Sequence, residues 1–275
     1  MQPSSTPYEK LDHPEILKVL FHPRLEAQAN PSPAILDYDK DVAPGVHIGG
    51  RLHLAGPGDP NILFFHGNGE IASDYDDIGP LYVQHSLSFL CIDYRGYGRS
   101  TGSPSSSAMM ADCHLIFNDV KERLAKDNRV GPLVIMGRSL GCACAIELAD
   151  VHQEDIAGLI IDSGFALTLP LLHTLGIDIN GLDITEMDCF NNVQKITRIN
   201  KPTLILHGQY DQLIPLANAE ILQAQSPAHG KEFQVVPGAD HNNILSIAGN
   251  RYFTAIKHFT NKIQQIRPRR SKSRR

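Results

Sequence analysis

The chain has 275 residues, of which 42% are hydrophobic and 20% are charged, the balance of a globular protein with a sizeable core. Its sequence shows neither an apolar run of the roughly 18 residues that span a bilayer nor the basic and apolar regions of a secretory leader. The five cysteines lack the spacing of a disulfide framework, which favours reduced thiols. We therefore predict a cytoplasmic protein.

The net charge of −5 conceals an uneven distribution along the chain. Six of the 25 Lys and Arg residues lie in the last nine positions, so the remaining 19 basic and 30 acidic residues leave the rest of the chain at −11. A basic tail of this kind can make weak contacts with nucleic acid or an anionic membrane. The favoured interpretation of 266–275 is nevertheless a disordered, solubilising end. No obligate protein partner is implied.

Strand and helix patterns alternate along the chain after an N-terminal extension over 1–45, in which a short helix at 15–20 and coil are predicted. Short apolar runs, typical of strands buried on both faces, lie at 61–65, 87–94, 133–136, 157–162, 202–208 and 232–236. Helical patterns lie at 71–85, 106–127, 140–151, 216–225 and 249–265. The alternation predicts an α/β fold over 46–265, with a mostly parallel sheet and helices on both faces.

The stretch 165–199 interrupts this alternation, because it is rich in Leu and Ile but contains no clear strand. An insertion between two strands of such a sheet usually lies over their carboxyl edge, where α/β proteins bind ligands. The stretch is therefore predicted as a short cap segment. Connecting helices that pack against the sheet are the alternative interpretation, and the two are not exclusive.

Two serines lie in a G-x-S-x-G pentapeptide, Ser100 in GRSTG and Ser139 in GRSLG. The pattern recurs by chance in roughly one chain in ten of this length, so its surroundings must decide. Ser139 follows a strand run and precedes a helix, which is the context of a nucleophile elbow, and Gly137 and Gly141 permit the tight turn. Ser100 is flanked by turn-forming residues and is predicted in a loop. Ser139 is therefore the predicted nucleophile.

A serine hydroxyl becomes a nucleophile when a base takes its proton and an acid orients that base. Asp211 follows the strand run at 202–208, and His241 follows the run at 232–236. Both residues are therefore predicted at the sheet edge where Ser139 emerges, in the order Ser, Asp, His that elbow-type hydrolases use. Asp211 would accept a hydrogen bond from Nδ1–H of His241, which leaves Nε2 to accept one from the serine.

Other residues compete for these roles. Asp162 ends a strand run and is an alternative acid, although Asp211 is preferred. Asp240 precedes His241 and is expected to point away from it, and His207 is expected to be a structural residue at a strand end.

An oxyanion hole needs two backbone N–H donors aimed at the developing charge. One donor is predicted at Leu140, at the start of a helix, and the other at Asn68, in the HGNG loop after a strand. Gly67 lets the backbone of this loop approach a substrate. His66 is expected to support the loop by hydrogen bonding, and the alternative is a simple strand-end residue. The sequence has no HExxH or CxxC spacing, so neither a metal nor a cofactor is predicted.

The motifs FFHGNG, DYRGYGRSTG, GRSLG, GQYDQLIP and GADH occur in this order. Over 46–265 the sequence resembles the α/β-hydrolase superfamily of serine hydrolases. H-G-N followed by D-Y-R-G-Y-G is similar to the branch that contains BEM46-like proteins and the ABHD-type thioesterases that remove palmitoyl groups. The resemblance implies an esterase or thioesterase that acts on a small-molecule or acyl ester without a cofactor. It also implies that 93–102 is a structural loop near the rim of the active site.

One feature departs from the eukaryotic depalmitoylases of this branch. They carry an N-terminal cysteine cluster for their own lipidation, whereas the first cysteine here is Cys91, so a membrane-bound depalmitoylase is not expected. A peptidase of the prolyl-oligopeptidase kind shares the order of the triad but usually carries a large extra domain. A noncatalytic binding module on a hydrolase fold is the remaining alternative.

Overall fold

A computed structural model of the chain describes residues 8–27 and 35–266. Within these ranges the strands are β1 (Leu36–Ala43), β2 (Val46–His53), β3 (Asn61–Phe65), β4 (Ser88–Ile92), β5 (Leu133–Arg138), β6 (Gly158–Asp162), β7 (Thr203–Gly208) and β8 (Lys231–Val236). They form one sheet in the order β1-β2-β4-β3-β5-β6-β7-β8. β2 runs antiparallel to both β1 and β4, and all other neighbours are parallel.

The α-helices of the described ranges flank this sheet. They are α1 (Pro14–Leu20), α2 (Gly79–Gln84), α3 (Ser106–Lys126), α4 (Gly141–Val151), α5 (Thr168–Thr174), α6 (Asn192–Ile196), α7 (Ala217–Gln225), α8 (Ile244–Ala248) and α9 (Asn250–Ile266). Short 3-10 turns lie at Glu9–Asp12, Ala72–Tyr75, Gln153–Asp155, Ile179–Gly181 and Glu186–Asp188. The predicted basic tail, apart from its first residue, lies outside the described residues.

The predicted parallel core of the fold is confirmed. All six apolar runs form strands whose ends differ from the predicted ones by no more than two residues. The helix predicted over 71–85 is wrong, because the chain forms a 3-10 turn there and then the short helix α2. Pro80, at the start of α2, has no N–H to continue a preceding helix, and its ring favours a new first turn.

The hairpin of β1 and β2 was not predicted, and the coil expected at the end of the extension is in part a strand. β1 lies inside the segment 1–45, yet it pairs with β2 from Leu36 to Ala43. Tyr38 is the one fully buried side chain of this strand. Because an edge strand leaves most of its side chains in solvent, it lacks the apolar run by which the inner strands are identified.

Side chains cover both faces of the sheet in alternation. Leu63 of β3 is in register with Ile135 of β5, and both pack on the face that carries α3 and α4. The next pair in the register, Phe64 and Met136, packs on the opposite face against α9. Because the inner strands are parallel, their carboxyl ends share one edge, and the chain leaves β3, β5, β7 and β8 there.

The turn after β5 brings backbone segments unusually close together. Ser139 has a φ of +52°, in the left-handed region. A Cβ on Gly137 would lie 2.3 Å from the carbonyl oxygen of Gly141, and a Cβ on Gly141 would lie 2.1 Å from that of Phe65. The N–H of Ser139 donates to the carbonyl oxygen of Asp162 at 2.9 Å. The turn is therefore packed against both neighbouring strands, β3 and β6.

The stretch 165–199 connects β6 to β7 and contains α5, α6 and two of the 3-10 turns. Several of its larger apolar side chains, including Phe165, Leu172 and Ile196, are fully buried in the same core as α4. The stretch thus contributes core packing, which was one of the two predicted interpretations.

The close approach at Gly141 predicts that a larger residue at this position destabilises the protein. We expect Gly141→Ala to lower the free energy of unfolding by about 1–3 kcal/mol or more, because the new methyl group overlaps the backbone of Phe65. Gly181→Ala is the matched control, since a Cβ there meets nothing within 4 Å, and it should be neutral or stabilising by up to about 1 kcal/mol. Urea unfolding monitored by circular dichroism measures both. Equal unfolding midpoints for the two variants would contradict the close approach.

Candidate active site

Ser139, His241 and Asp211 meet at the carboxyl edge of the sheet. The Ser139 hydroxyl donates to Nε2 of His241 at 2.9 Å, and Nδ1–H of His241 donates to Oδ2 of Asp211 at 2.7 Å. Each residue is less than 10% exposed. The three side chains thus form one continuous hydrogen-bonded chain, although the residues are up to 102 positions apart in sequence.

The loop after β7 holds the Asp211 carboxylate in place. Its Oδ1 accepts the backbone N–H groups of Leu213 at 3.0 Å and Ile214 at 2.7 Å, which leaves Oδ2 for the histidine. The N–H of Tyr210 donates to the carbonyl oxygen of Ala239 at 2.8 Å and so joins this loop to the one that carries His241. The two loops are therefore braced against each other.

The competing acids are engaged elsewhere. Asp162 accepts the hydroxyl of Tyr252 at 2.6 Å and that of Ser163 at 2.9 Å. The exposed Asp240 accepts the backbone N–H groups of Asn242 at 2.8 Å and Asn243 at 3.1 Å. Neither carboxylate is bonded to His241.

His207 lies at the end of β7 and is fully buried. Its Nε2–H donates to the carbonyl oxygen of Ile214 at 2.8 Å, and the same nitrogen lies 3.5 Å from Oδ2 of Asp211. It therefore packs against the loop after β7 that carries Asp211, as a structural residue.

Ser100 lies in a loop, as its surroundings indicated. Its Oγ accepts the backbone N–H of Gly49 at 2.8 Å, and the residue is 3% exposed. The second pentapeptide thus pins a loop to β2, and its serine has no histidine partner in the described residues.

The two predicted oxyanion donors lie on different segments, Leu140 next to Ser139 in the turn after β5 and Asn68 in the loop after β3. The contact of Gly141 with the end of β3 places Leu140 beside the loop that carries Asn68. Within the described residues, the backbone N–H groups of Leu140 and Asn68 donate to no other backbone group. These two groups are therefore free to bind an incoming oxygen.

The side chain of Asn68 has a separate function that was not predicted. Its Oδ1 accepts the backbone N–H of His22 at 2.7 Å and the hydroxyl of Tyr97 at 2.8 Å. Its amide also approaches the carbonyl oxygen of Val19 at 3.3 Å. The end of α1 and the loop 93–102 are thus clamped onto this turn.

His66 lies at the start of this loop and bonds to its backbone. The ring is fully buried, and its Nδ1–H donates to the carbonyl oxygen of Gly67 at 2.8 Å. The Tyr94 hydroxyl donates to the carbonyl oxygen of His66 at 2.6 Å. Tyr94 and Tyr97 both come from DYRGYG, so this motif braces the loop from the side.

Sequence reasoning missed a buried ion pair between Glu70 and Arg138, although each residue lies in or next to a quoted motif. Nη1 of Arg138 bonds to Oε1 of Glu70, and Nη2 donates to the carbonyl oxygen of His241 at 2.7 Å. Oε2 of Glu70 accepts the N–H of Gly67 at 2.8 Å and the hydroxyl of Tyr75 at 2.7 Å. Burial opposes ionisation of Glu70, but the adjacent guanidinium and the tyrosine hydroxyl hold its pKa below the ordinary value.

The described ranges contain no cluster of three or more His, Cys, Asp or Glu side chains arranged to hold a metal ion. All five cysteines are buried and unbridged. None of the helices in these ranges has the length and apolar character needed to traverse a bilayer.

Comparison with known proteins finds a family model and relatives to which this chain is similar. A family model described as "serine aminopeptidase, S33" matches residues 57–171. Protein bem46 of Schizosaccharomyces pombe is 29% identical over 206 residues, which cover 73% of this chain and 67% of bem46. Alpha/beta hydrolase domain-containing protein 17C of Xenopus tropicalis is 28% identical over 205 residues, which cover 72% of this chain and 60% of that protein.

A solved structure supports the same fold. The esterase Pf2001 of Pyrococcus furiosus aligns with a TM-score of 0.68 at 17% identity, over 87% of this chain and 98% of the esterase. At this identity the likeness is evidence for the architecture alone. Together with the sheet order, the family match and the two relatives, it shows an α/β-hydrolase fold for this chain, which is similar to bem46 and to the ABHD-type protein 17C.

Proposed function

We propose that the protein is a serine hydrolase that cleaves a carboxylic ester or thioester through an acyl-enzyme on Ser139. The observation that carries this proposal is the unbroken hydrogen-bonded chain from the Ser139 hydroxyl through His241 to Asp211. A histidine fixed in one tautomer by a buried carboxylate is the arrangement that turns a serine hydroxyl into a nucleophile.

In the acylation step, Oγ of Ser139 attacks the carbonyl carbon while Nε2 of His241 takes the hydroxyl proton. The carbonyl oxygen becomes an oxyanion, which the N–H groups of Leu140 and Asn68 stabilise. When the tetrahedral intermediate collapses, the bond to the leaving group breaks, and the alcohol or thiol departs with the proton from His241. Asp211 stabilises the imidazolium that exists between the two proton transfers.

Water completes the cycle. His241 takes a proton from a water molecule, whose oxygen attacks the acyl carbon bonded to Ser139. A second oxyanion forms in the same hole, and its collapse breaks the bond to Oγ. The carboxylic acid is released, and the proton on His241 returns to Ser139, so the enzyme is restored without a metal or an organic cofactor.

An acyl substrate also fits the segment 165–199, for which we propose the role of a cap. Leu169, Leu175 and Ile177 in this segment are only half-buried. The segment begins at the carboxyl edge of β6, next to the turn that carries Ser139. Half-buried apolar side chains at this edge would provide a surface for the acyl portion of a substrate.

The description of the family model favours a second candidate, a serine aminopeptidase. The match ends at residue 171, so it includes Ser139 but neither Asp211 nor His241. An amidase would use the same acyl-enzyme, and the two activities differ in the leaving group. Parallel assays with p-nitrophenyl esters, acyl thioesters and aminoacyl nitroanilides separate them, and we expect the esters or thioesters to be the better substrates.

The two pentapeptides provide a matched test of the nucleophile. We expect Ser139→Ala to lose fluorophosphonate labelling and to lower hydrolysis of a p-nitrophenyl ester by about 10⁴-fold or more, because no other hydroxyl of the described residues is bonded to His241. Ser100→Ala should keep both activities, although it leaves the buried N–H of Gly49 unpaired at a cost of about 1–3 kcal/mol in unfolding free energy. Retained activity in a folded Ser139→Ala protein would rule out the proposal.

The acid is tested by a pair of isosteric substitutions. We expect Asp211→Asn to lower kcat by about 10⁴-fold, because the amide stabilises the wrong tautomer of His241. Asp240→Asn, on the neighbouring exposed carboxylate, should leave kcat within about twofold. Steady-state kinetics on the ester measures both, with a thermal melt to verify folding. Comparable kcat values for the two variants would assign the acid to another residue.

A further inference from the structure

The half-buried pair of Glu70 and Arg138 contacts three of the four segments that carry the proposed catalytic groups, and the loop of Asp211 is the fourth. Arg138 belongs to the turn of Ser139 and bonds to the backbone of His241. Its partner Glu70 bonds to the backbone of Gly67 in the HGNG loop after β3 (residues 66–69), which carries Asn68 and is called the oxyanion loop below. We infer that this ion pair is a positioning device that sets the distance between nucleophile, base and oxyanion loop. The inference rests on the proposed function, because this distance matters for catalysis only if the nucleophile, the base and the oxyanion loop act as proposed.

Arg138 acts on the serine and the histidine through their backbones. It directly precedes Ser139, so its side chain starts from the nucleophile's own turn. Its Nη2 reaches the carbonyl oxygen of His241 at 2.7 Å. The two loops are thus joined twice, once through the 2.9 Å bond between Oγ and Nε2 and once through this bond behind it. While both bonds are present, the loop of His241 is held to the turn of Ser139. A movement of this loop therefore cannot carry the imidazole away from the serine.

Glu70 extends the same arrangement to the oxyanion loop. Its Oε2 holds the N–H of Gly67, which precedes the proposed donor Asn68. A Cβ on Gly67 would lie 2.8 Å from Nη1 of Arg138, so the backbone of the loop lies directly against the ion pair at this position. The hydroxyl of Tyr75 donates to the same carboxylate oxygen and fixes its orientation.

A buried ion pair is a poor source of net stability, because desolvation of both charges offsets their attraction. Glu70 and Arg138 are mostly buried, with side chains 24% and 13% exposed. What this pair supplies is directional bonds to two backbone groups, the carbonyl oxygen of His241 and the N–H of Gly67. Neither side chain is bonded to the side chains of Ser139, His241 or Asp211, so both are positioning residues and take no direct part in the chemistry.

The kinetic test compares Arg138→Gln with Arg51→Gln. Arg51 is the control because it is also an arginine paired with carboxylates, Glu26 and Asp37, and its side chain is only 5% exposed. It lies on β2, however, which is three strands away from β5. We expect Arg138→Gln to lower kcat for a p-nitrophenyl ester by about 100-fold with KM within about threefold, because a misplacement of about 1 Å costs this much. Arg51→Gln should lower the melting temperature but leave kcat within about threefold. Equal kcat values in two folded variants would overturn the inference.

Conservative variants keep the test available if Arg138→Gln does not fold. Arg138→Lys retains the charge beside Glu70, but one ammonium group cannot replace the planar fork that reaches both Glu70 and His241. We expect it to fold with near-native stability and still to lose about tenfold or more in kcat. Full activity in Arg138→Lys would show that charge alone matters and would overturn the bridging role.

A readout independent of catalysis separates this inference from the proposed function. In protein labelled with ¹⁵N-histidine, Nδ1–H of His241 should give a downfield, exchange-protected proton resonance, which Asp211→Asn removes. We expect Arg138→Gln to shift this resonance or lose it to exchange and Arg51→Gln to leave it unchanged. An unchanged resonance in folded Arg138→Gln overturns the positioning role. If the wild type hydrolyses no ester and resists fluorophosphonate labelling, the proposed function fails, and the resonance still decides the role of Arg138.

Discussion

The contact between Gly141 and the backbone of Phe65 is the constraint on which the rest of the site depends. It presses the first turn of α4 against the end of β3, at a separation that leaves no space for a side chain. The consequence is that Leu140, at the start of α4, lies close to the loop after β3 that carries Asn68. The left-handed backbone of Ser139 follows from the same contact, because the chain has to reverse between a strand and a helix that nearly touch.

Around this contact, hydrogen bonds from side chains hold the loops of the site in place. Most of the side chains that make these bonds have no proposed role in the reaction itself. Tyr94 and Tyr97 brace the oxyanion loop, and the side chain of Asn68 ties it to the end of α1. The ion pair of Glu70 and Arg138 links the remaining loops. Side chains that bond to loop backbone restrict a loop without occupying the space where a substrate must enter. This explains why so many polar groups are buried near one serine.

Strands such as β3 and β5 could be predicted from sequence because burial on both faces leaves a continuous apolar run, as at 61–65 and 133–136. The hairpin of β1 and β2 could not. β1 is an edge strand with one fully buried side chain, Tyr38, and β2, although largely buried, contains Gly, Arg and His residues that interrupt any apolar run. The interruption of the predicted helix at 71–85 could have been predicted from Pro80, because a proline inside a helical pattern often marks the start of a new helix.

For the site, the sequence by itself determined which residue types were available and on which edge of the sheet they would lie. Ser139, Asp211 and His241 each follow a recognisable strand, and parallel strands end at a common edge. Only the tertiary structure decided that Asp211 and not Asp162 meets the histidine, since that depends on which carboxylate other groups have already bonded. It alone also paired Glu70 with Arg138, because a contact between residues 68 positions apart is set by the packing of two loops and leaves no periodic pattern in the chain.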